Sequence, residues 1–325
     1  MSIATEIARL QSDSSAIASA LSAKRVTVPS GSGFDDYAGL INNIPEFDDW
    51  LKDGDTHLWL NIVNDYQKDQ QIRIRMIGTI DWGDGTTVES VSVTTYTTFT
   101  HTYANKGRYR IDLHPTSGTF YLGGSSNNYC VMGERTSKRY CIIGVLYQAE
   151  VGSSIITTLS QSAFYYCTGL RRVYIPKNIV TFSSNIFYYC VSLSHVECED
   201  SSTITSTGMS STFYYCHNLQ DISSFALSYT TTITSAFSNC WSLSEFTIPS
   251  TVTTLSGAVF QSAYSIKKLY CLPSTPPTTT SATNLFSGFN ADCVIYVPNG
   301  KLTAYQTADS WSSRASQMVE MPATS

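Results

Sequence analysis

The sequence predicts a mainly β protein whose C-terminal two-thirds is a solenoid of stacked short repeats, preceded by a small β domain and a helical N-terminal segment. Three observations carry this. Phe164-Tyr-Tyr-Cys167 recurs as Phe187-Tyr-Tyr-Cys190, Phe213-Tyr-Tyr-Cys216 and Phe237-Ser-Asn-Cys240, with weaker copies at Phe260-Gln-Ser-Ala263 and Phe286-Ser-Gly-Phe289, at offsets of 23 to 26 residues. A fixed period in this range marks a repeat architecture. An apolar anchor stands three residues after each Cys (Leu170, Leu193, Leu219, Leu243), then Ile266 in the next copy. Charge is thin: Asp, Glu, Lys and Arg make up 14% of the 325 residues, against about 25% in an average soluble domain.

Residues 1–46 read as a helical anchor. Ile3, Ile7, Leu10, Ser14, Ile17, Leu21 and Lys24 alternate spacings of four and three, a heptad seam about three repeats long. Ala16, Ala18 and Ala20 add helix propensity. So narrow an apolar seam needs partner helices, and mixed Ile and Leu at its core positions tilt the expectation to three strands or more. Ile3, Ile7, Leu10, Ile17 and Leu21 are therefore the candidate oligomerisation residues, and a homotrimer is the expected state. The competing reading is a single helix lying on another surface. Val26-Thr-Val-Pro-Ser-Gly-Ser-Gly33 is a linker, and Phe34, Tyr37, Leu40, Ile41 and Ile44 mark a second short helix. This opening resembles the N-termini of bacteriophage structural proteins, in which a short helix and a V-P-x-G-linked second helix precede fibre domains. The resemblance implies attachment to other virion proteins through the N-terminus. Residues 1–25 lack the basic start, apolar run and small-residue cleavage site of a secretory signal, which fits assembly in a host cytoplasm.

Residues 47–118 alternate with period two. Leu58-Trp-Leu60-Asn-Ile62, Ile72-Arg-Ile74-Arg-Met76, Phe99 to Tyr103 and Tyr109/Ile111/Leu113 read as half-buried strands. Asp84-Gly85 between strands is a hairpin-type turn. The series W-G-D-G-T, H-T-Y and G-x-Y-x-I-x-L, spread over Trp82 to Leu113, resembles a PKD domain, which implies an immunoglobulin-like β-sandwich acting as a spacer or weak binding module. Asp81 and Asp84 lack the further acidic spacing of a calcium loop and are read as turn formers around a buried Trp82.

Residues 119–298 are the solenoid. Short alternating strands follow the anchors at Val173–Ile175, Val196–Cys198, Phe246–Ile248, Leu269–Cys271 and Val294–Val297, most of them ended by Pro, which cannot extend a ladder. A second apolar pair follows most strands, as in Ile179 and Phe182, Ile204, Ile233, and Val252 and Leu255. The pattern A-F-x-x-C-x-x-L-x-x-V-x-I-P of residues 163–176 resembles the BspA-like leucine-rich repeats, and that resemblance covers about 140–300. Cys167, Cys190, Cys216 and Cys240 share one inward position, where a small hydrophobe fits a stacked ladder, so buried free thiols are expected. Zinc binding by Cys190, His195 and Cys198 is rejected, because their spacing matches no paired C-x-x-C framework. Residues 299–325 read as a cap: Asn299-Gly300 turn into a helical run from Lys301 to Ala308, with Leu302 and Tyr305 on one face and Trp311 closing the last turn.

No catalytic constellation emerges. The acids of 151–300 include Glu197 and Glu199 on one strand face without acidic partners in step, and glycan cleavage needs a carboxylate pair about 5–9.5 Å apart. The five His (His57, His101, His114, His195, His217) show no metal spacing, and no cofactor is implied. A net charge of −5 gives no footprint for nucleic acid, and no run approaches the ~18 apolar residues of a membrane span. Binding has a better candidate. Tyr165, Tyr166, Tyr188, Tyr189, Tyr214 and Tyr215 recur one repeat apart, so neighbouring turns place them in rows about 5 Å apart. Such rows offer rigid amphipathic area to a sugar or a protein. The plainer reading is that one Tyr of each pair packs between turns. Together these features predict a non-enzymatic virion appendage that attaches to a host-surface glycan or protein. A BspA-like bacterial surface adhesin and a polysaccharide-degrading enzyme are the alternatives.

Overall fold

The computed structural model describes residues 50–124, 129–134, 146–152, 155–200, 204–206, 208–222, 227–280 and 284–322. The chain divides into two compact units, Met1–Leu51 and Lys52–Ser325. The heptad residues Ile3, Ile7, Leu10, Ile17 and Leu21 lie outside the described residues, and the architecture is that of the second unit.

Its N-terminal part contains β1 (Thr56–Ile62), β2 (Asp69–Asp81), β3 (Glu89–Ser92), β4 (Thr97–Thr102) and β5 (Gly107–Leu122). The alternation seen in the sequence is kept: Gln70, Ile72, Ile74 and Met76 of β2 are buried while the residues between them are half-exposed. β2 is antiparallel to β3, β4 and β5, and β5 is antiparallel to β1. These strands are hydrogen-bonded as one sheet rather than as two separate sheets. Trp82 is buried after β2, with His101 stacked on it at 4.8 Å. Asp81 and Asp84 accept from the N–H groups of Gly83 and Thr86 at 2.8 and 3.1 Å, the local turn bonds that this side-chain type favours.

β6 (Tyr129–Cys130) and β7 (Gly133–Glu134) form a small hairpin, and β8 (Leu146–Glu150) begins the solenoid. The same sheet continues without interruption into the repeats. β1 pairs antiparallel with β8, setting Leu58 opposite Ala149 and His57 opposite Glu150. β1 is therefore a central strand, which explains why almost its whole length is buried. Gly152 follows β8 where the chain brushes past Asp55. A Cβ there would meet the Asp55 carbonyl oxygen at 1.8 Å, so only glycine fits. The segment before β1 ties down across this junction. His57, 1% exposed, bonds Asp112 through Nδ1 at 2.7 Å and Asp53 through Nε2 at 2.8 Å. Arg110 in turn holds both oxygens of Asp112 at 2.7 and 3.1 Å.

Beyond β8 the chain coils through β9 (Thr158–Leu159), β10 (Arg172–Ile175), β11 (Thr181–Phe182), β12 (His195–Cys198), β13 (Gly208–Ser210), β14 (Thr232–Thr234), β15 (Glu245–Ile248), β16 (Thr254–Ser256), β17 (Lys268–Cys271), β18 (Thr278–Thr280), β19 (Val294–Val297) and β20 (Met318–Glu320). Two rows of parallel strands result. One contains β8, β10 and β12, then β15, β17, β19 and β20; the other contains β9 and β11, then β13, β14, β16 and β18. A third row forms at the Phe corners without regular strands. There Phe164, Phe187, Phe213, Phe237 and Phe260 each donate a backbone N–H to a carbonyl of the following turn at 2.9 to 3.1 Å.

The interior is a column of rings. Phe164, Phe187, Phe213, Phe237, Phe260 and Phe286 stack in order at centroid distances of 5.4 to 6.2 Å. Removing one mid-column ring would cost roughly 3–5 kcal/mol. The cysteine ladder lies beside it, as expected. Cys190, Cys216 and Cys240 each donate Sγ–H to the carbonyl of the preceding turn's Phe at 3.0 to 3.1 Å, and all cysteines among the described residues are free thiols. The far end is closed by α1 (Leu302–Thr307), a 3-10 turn at Ser312–Gln317 and the extra strand β20. Trp311 is fully buried edge-on to Phe286, and its Nε1–H and the Tyr305 hydroxyl satisfy the carbonyls of Pro277 and Pro273.

Candidate functional site

After each buried Phe the chain must leave the core and turn. It does so at the second residue beyond it: Tyr166, Tyr189, Tyr215, Asn239, Ser262 and Gly288 all have φ between 57° and 66°. Asn and Gly are at ease in this left-handed conformation. A tyrosine is not, and pays about 1 kcal/mol for it. The turn is held by the bonds from Tyr166 N–H to the Tyr188 carbonyl, Tyr189 to Tyr214 and Tyr215 to Ser238, at 2.8 to 2.9 Å. Ring register from turn to turn is thus fixed by backbone.

Two stacked columns result. Tyr165, Tyr188 and Tyr214 lie 4.7 Å apart and within 14° of parallel; Tyr166, Tyr189 and Tyr215 lie 4.5 and 4.4 Å apart and within 10°. The expected rows about 5 Å apart are present. Both tyrosines of each pair join a column, so packing between turns and surface display coexist. Tyr165 is 7% exposed and the other five are half-buried. Burial, and after it the neighbouring phenols, push Tyr188 well above the usual range, and burial first raises Tyr189 and Tyr214 too. These phenols stay neutral donors at any physiological pH.

The aromatic strip continues beyond the tyrosine pairs. The residue after each Cys position is His217, Trp241 and Tyr264 in three successive turns. Tyr215 contacts His217 at 5.5 Å, and His217 lies flat on Trp241 at 3.6 Å and 4°. Trp241 is 43% exposed and Tyr264 57%. Burial lowers the His217 pKa, keeping the ring uncharged, and its Nε2 is buried without a hydrogen-bond partner. These three share no residue type, so period-matching by identity passes over them. Only position relative to Cys would have found them.

Other candidates are dispersed. Cys190 faces the core and donates to Phe164, while His195 and Cys198 sit at the two ends of β12; among the described residues no group of three His, Cys, Asp or Glu could hold a metal. Glu197 lies near Lys52 at 3.6 Å, and Glu199 near Lys177 at 3.9 Å. One acidic pair is in step after all: Asp221 and Glu245 each stand two residues after the turn's Leu anchor. Both line a cleft of about 430 Å³ on the strand side, with Phe246 and Leu272. Comparing only Glu197 and Glu199 with their neighbours in adjacent repeats passes this pair by.

The sequence profile of the BspA type leucine rich repeat region matches residues 147–267 in six copies. These residues form a BspA-type leucine-rich repeat region. The BspA-type turns carry both tyrosine columns, His217, Trp241 and Tyr264. Solved structures that the chain resembles include a T. pallidum leucine rich repeat protein, at 18% identity and TM-score 0.41 over 63% of this chain and 97% of that one. A leucine-rich repeat protein from Bacteroides ovatus ATCC 8483 is 20% identical, with TM-score 0.39 over 54% of this chain and 42% of that one. A leucine rich cell surface protein from Faecalibacterium prausnitzii A2-165 gives 20% identity and TM-score 0.39 over 57% and 54%. The chain thus spans about half the length of the latter two. No curated protein matches.

Proposed function

We propose that this chain is a non-enzymatic binding protein that presents the aromatic strip of its BspA-type repeats to a host surface, as a fibre or decoration subunit of a bacteriophage virion. The observation that carries the binding role is the tyrosine pair of columns, retained at three left-handed positions where Asn or Gly would cost less. The left-handed turn itself recurs in every repeat; what sets these three apart is a bulky ring at a position that suits Asn or Gly better. In this reading residues 1–46 trimerise and join other virion proteins through Ile3, Ile7, Leu10, Ile17 and Leu21. Residues 47–118 act as the PKD-like spacer, and no cofactor takes part. The triple variant Tyr166→Asn/Tyr189→Asn/Tyr215→Asn keeps a residue suited to the turn. It is expected to fold and to lose most adsorption to host cells; full adsorption by the folded variant would overturn the reading.

A bacterial surface adhesin is the second reading, favoured by the BspA-type repeats. Sedimentation separates the two. The virion reading expects a trimer that deletion of residues 1–25 converts to a monomer, and a full-length monomer at micromolar concentration contradicts it. Cleavage of a bound polymer is the third reading, favoured by the in-step Asp221 and Glu245. Reducing ends released from host capsule by the native chain, and lost in Asp221→Asn, would overturn the non-enzymatic assignment.

A further inference from the structure

Charge is segregated around the solenoid. The five corner segments 160–168, 183–192, 209–218, 235–243 and 257–266 contain no Asp, Glu, Lys or Arg. The strand side holds Arg172, His195, Asp221, Glu245 and Lys268 at equivalent positions of successive turns. A ligand of the corner side therefore meets mainly hydroxyls, amides and rings, with charges such as Arg171 and Lys267 just beyond the segment ends.

The rings of this strip are not equivalent. Within the tyrosine columns the facing surfaces of neighbouring rings cover one another at 4.4 to 4.7 Å, so along the columns a partner reaches mainly edges and hydroxyl groups. Trp241 differs. One face lies on His217, and among the described residues no second ring covers the other; Tyr264, one turn on, stacks on none of their rings. Trp241 and Tyr264 are the most exposed rings of the strip, and Tyr264 lies close to Gly288 of the next turn. Stacking on His217 fixes the indole, and the buried, unpartnered His217 Nε2 is a cost borne at this point. Flanking them in the sequence are Asn218, Asn239, Ser242, Gln261 and Ser262, all uncharged donors and acceptors.

We propose that Trp241 and Tyr264 form a stacking subsite for an uncharged pyranose ring of a neutral polysaccharide, whose chain runs on along the tyrosine edges. A sugar ring presents C–H groups on its faces and hydroxyl groups on its rim. It matches an open indole face bordered by amides, and then a row of neutral phenols. A nucleic acid, an acidic glycan or a basic peptide would find few countercharges along these segments. This subsite rests on the binding role proposed above and names the chemistry of its partner.

Affinity electrophoresis of the full chain through gels containing a neutral β-glucan, mannan or galactan tests it, with polygalacturonate as the acidic control. The native chain is expected to be retarded by at least one neutral polymer and not by polygalacturonate. Trp241→Ala should weaken that retardation about tenfold or more, and Trp241→Tyr should restore most of it while the circular dichroism of both variants matches the parent. No retardation by any neutral polymer, or equal retardation of Trp241→Ala, overturns the subsite. Retardation by polygalacturonate alone overturns the neutral-ligand assignment. If the tyrosine triple variant still loses adsorption while no neutral polymer is bound, the binding role survives and a protein or charged partner replaces the sugar.

Discussion

Tyr166, Tyr189 and Tyr215 occupy a backbone position that other turns give to Asn239, Ser262 and Gly288. Each accepts about 1 kcal/mol of left-handed strain and gains ring contacts worth roughly 0.5–1.5 kcal/mol apiece. Tyr189, with rings stacked on both sides, gains more from these contacts than the strain costs, so the columns stabilise the fold as well as displaying hydroxyl groups. Two variants expose the strain. Tyr189→Gly and Tyr189→Ala lose the same contacts, yet the Gly variant is expected to be the more stable by about 1 kcal/mol in urea unfolding. The reverse order would show that the turn is not left-handed in solution. At this scale the sequence was legible where one residue type repeats: Tyr pairs and Cys ladder stand out by identity. His217, Trp241 and Tyr264 share only a position, and their proximity becomes visible once turns are superposed in space. The cysteines read correctly because a shallow thiol suits a stacked interior. Burial pushes Cys190 and Cys216 well up and Cys198 up to about 12, which leaves little thiolate for metal or disulfide chemistry.

Among the elements, β1 is the one whose role local pattern could not announce. Its alternation marks Leu58, Leu60 and Ile62 as inward, but pairing with β8 joins residues almost a hundred positions apart, and such non-local registers leave no trace in a short window. The polar contacts over this strand make the junction pH-sensitive. Burial opposes charge on His57, but its bonds to Asp112 and Asp53 outweigh that and raise its pKa above 6.5. Arg110 on β5, Asp53 and Asp55 on the preceding segment, and Glu150 on β8 complete the charged surroundings. A raised folded-state value means that the stabilisation is full below about pH 6.5 and is lost as pH rises through the folded value. Asp53 has the opposite sign: burial raises it, the Asp55 N–H and His57 outweigh that, and its contribution is lost as pH falls below its depressed value. The native chain is expected to lose melting temperature as pH rises above about 6.5, and His57→Gln to show a flatter profile. Parallel profiles for the two would remove His57 from the junction's pH response.

At the scale of the molecule, stability is nearly a sum of turns and their interfaces, closed at one end by the β1–β8 pairing and at the other by Trp311 over Phe286. Loss of a cap should therefore be felt unevenly. Trp311→Ala is expected to cost roughly 3–5 kcal/mol and to speed hydrogen exchange in β19, β17 and β18 first, leaving β8 and β10 near their native protection. Uniform acceleration along the chain would mean that the solenoid opens as one cooperative block. The repeat period, the strands of the main row and the aromatic cap residues could be read from the sequence, because each turn restates the same local rules; β9, β13 and β18 could not. β20 could not, since Met318-Val-Glu320 is too short to signal a strand until β19 offers it an edge. The shared sheet was hidden for a similar reason, with the expected boundary at 118 falling inside β5.

That shared sheet bears on how such a protein can change. With both ends of the coil finished by unlike structures, the turns between them are interchangeable cassettes. Duplicating one would leave β1, β8 and the Trp311 plug untouched while adding one more rung, about 4.5 Å, to the ring columns. Copy number then acts as a ruler. The length of the aromatic strip changes in whole rungs rather than continuously.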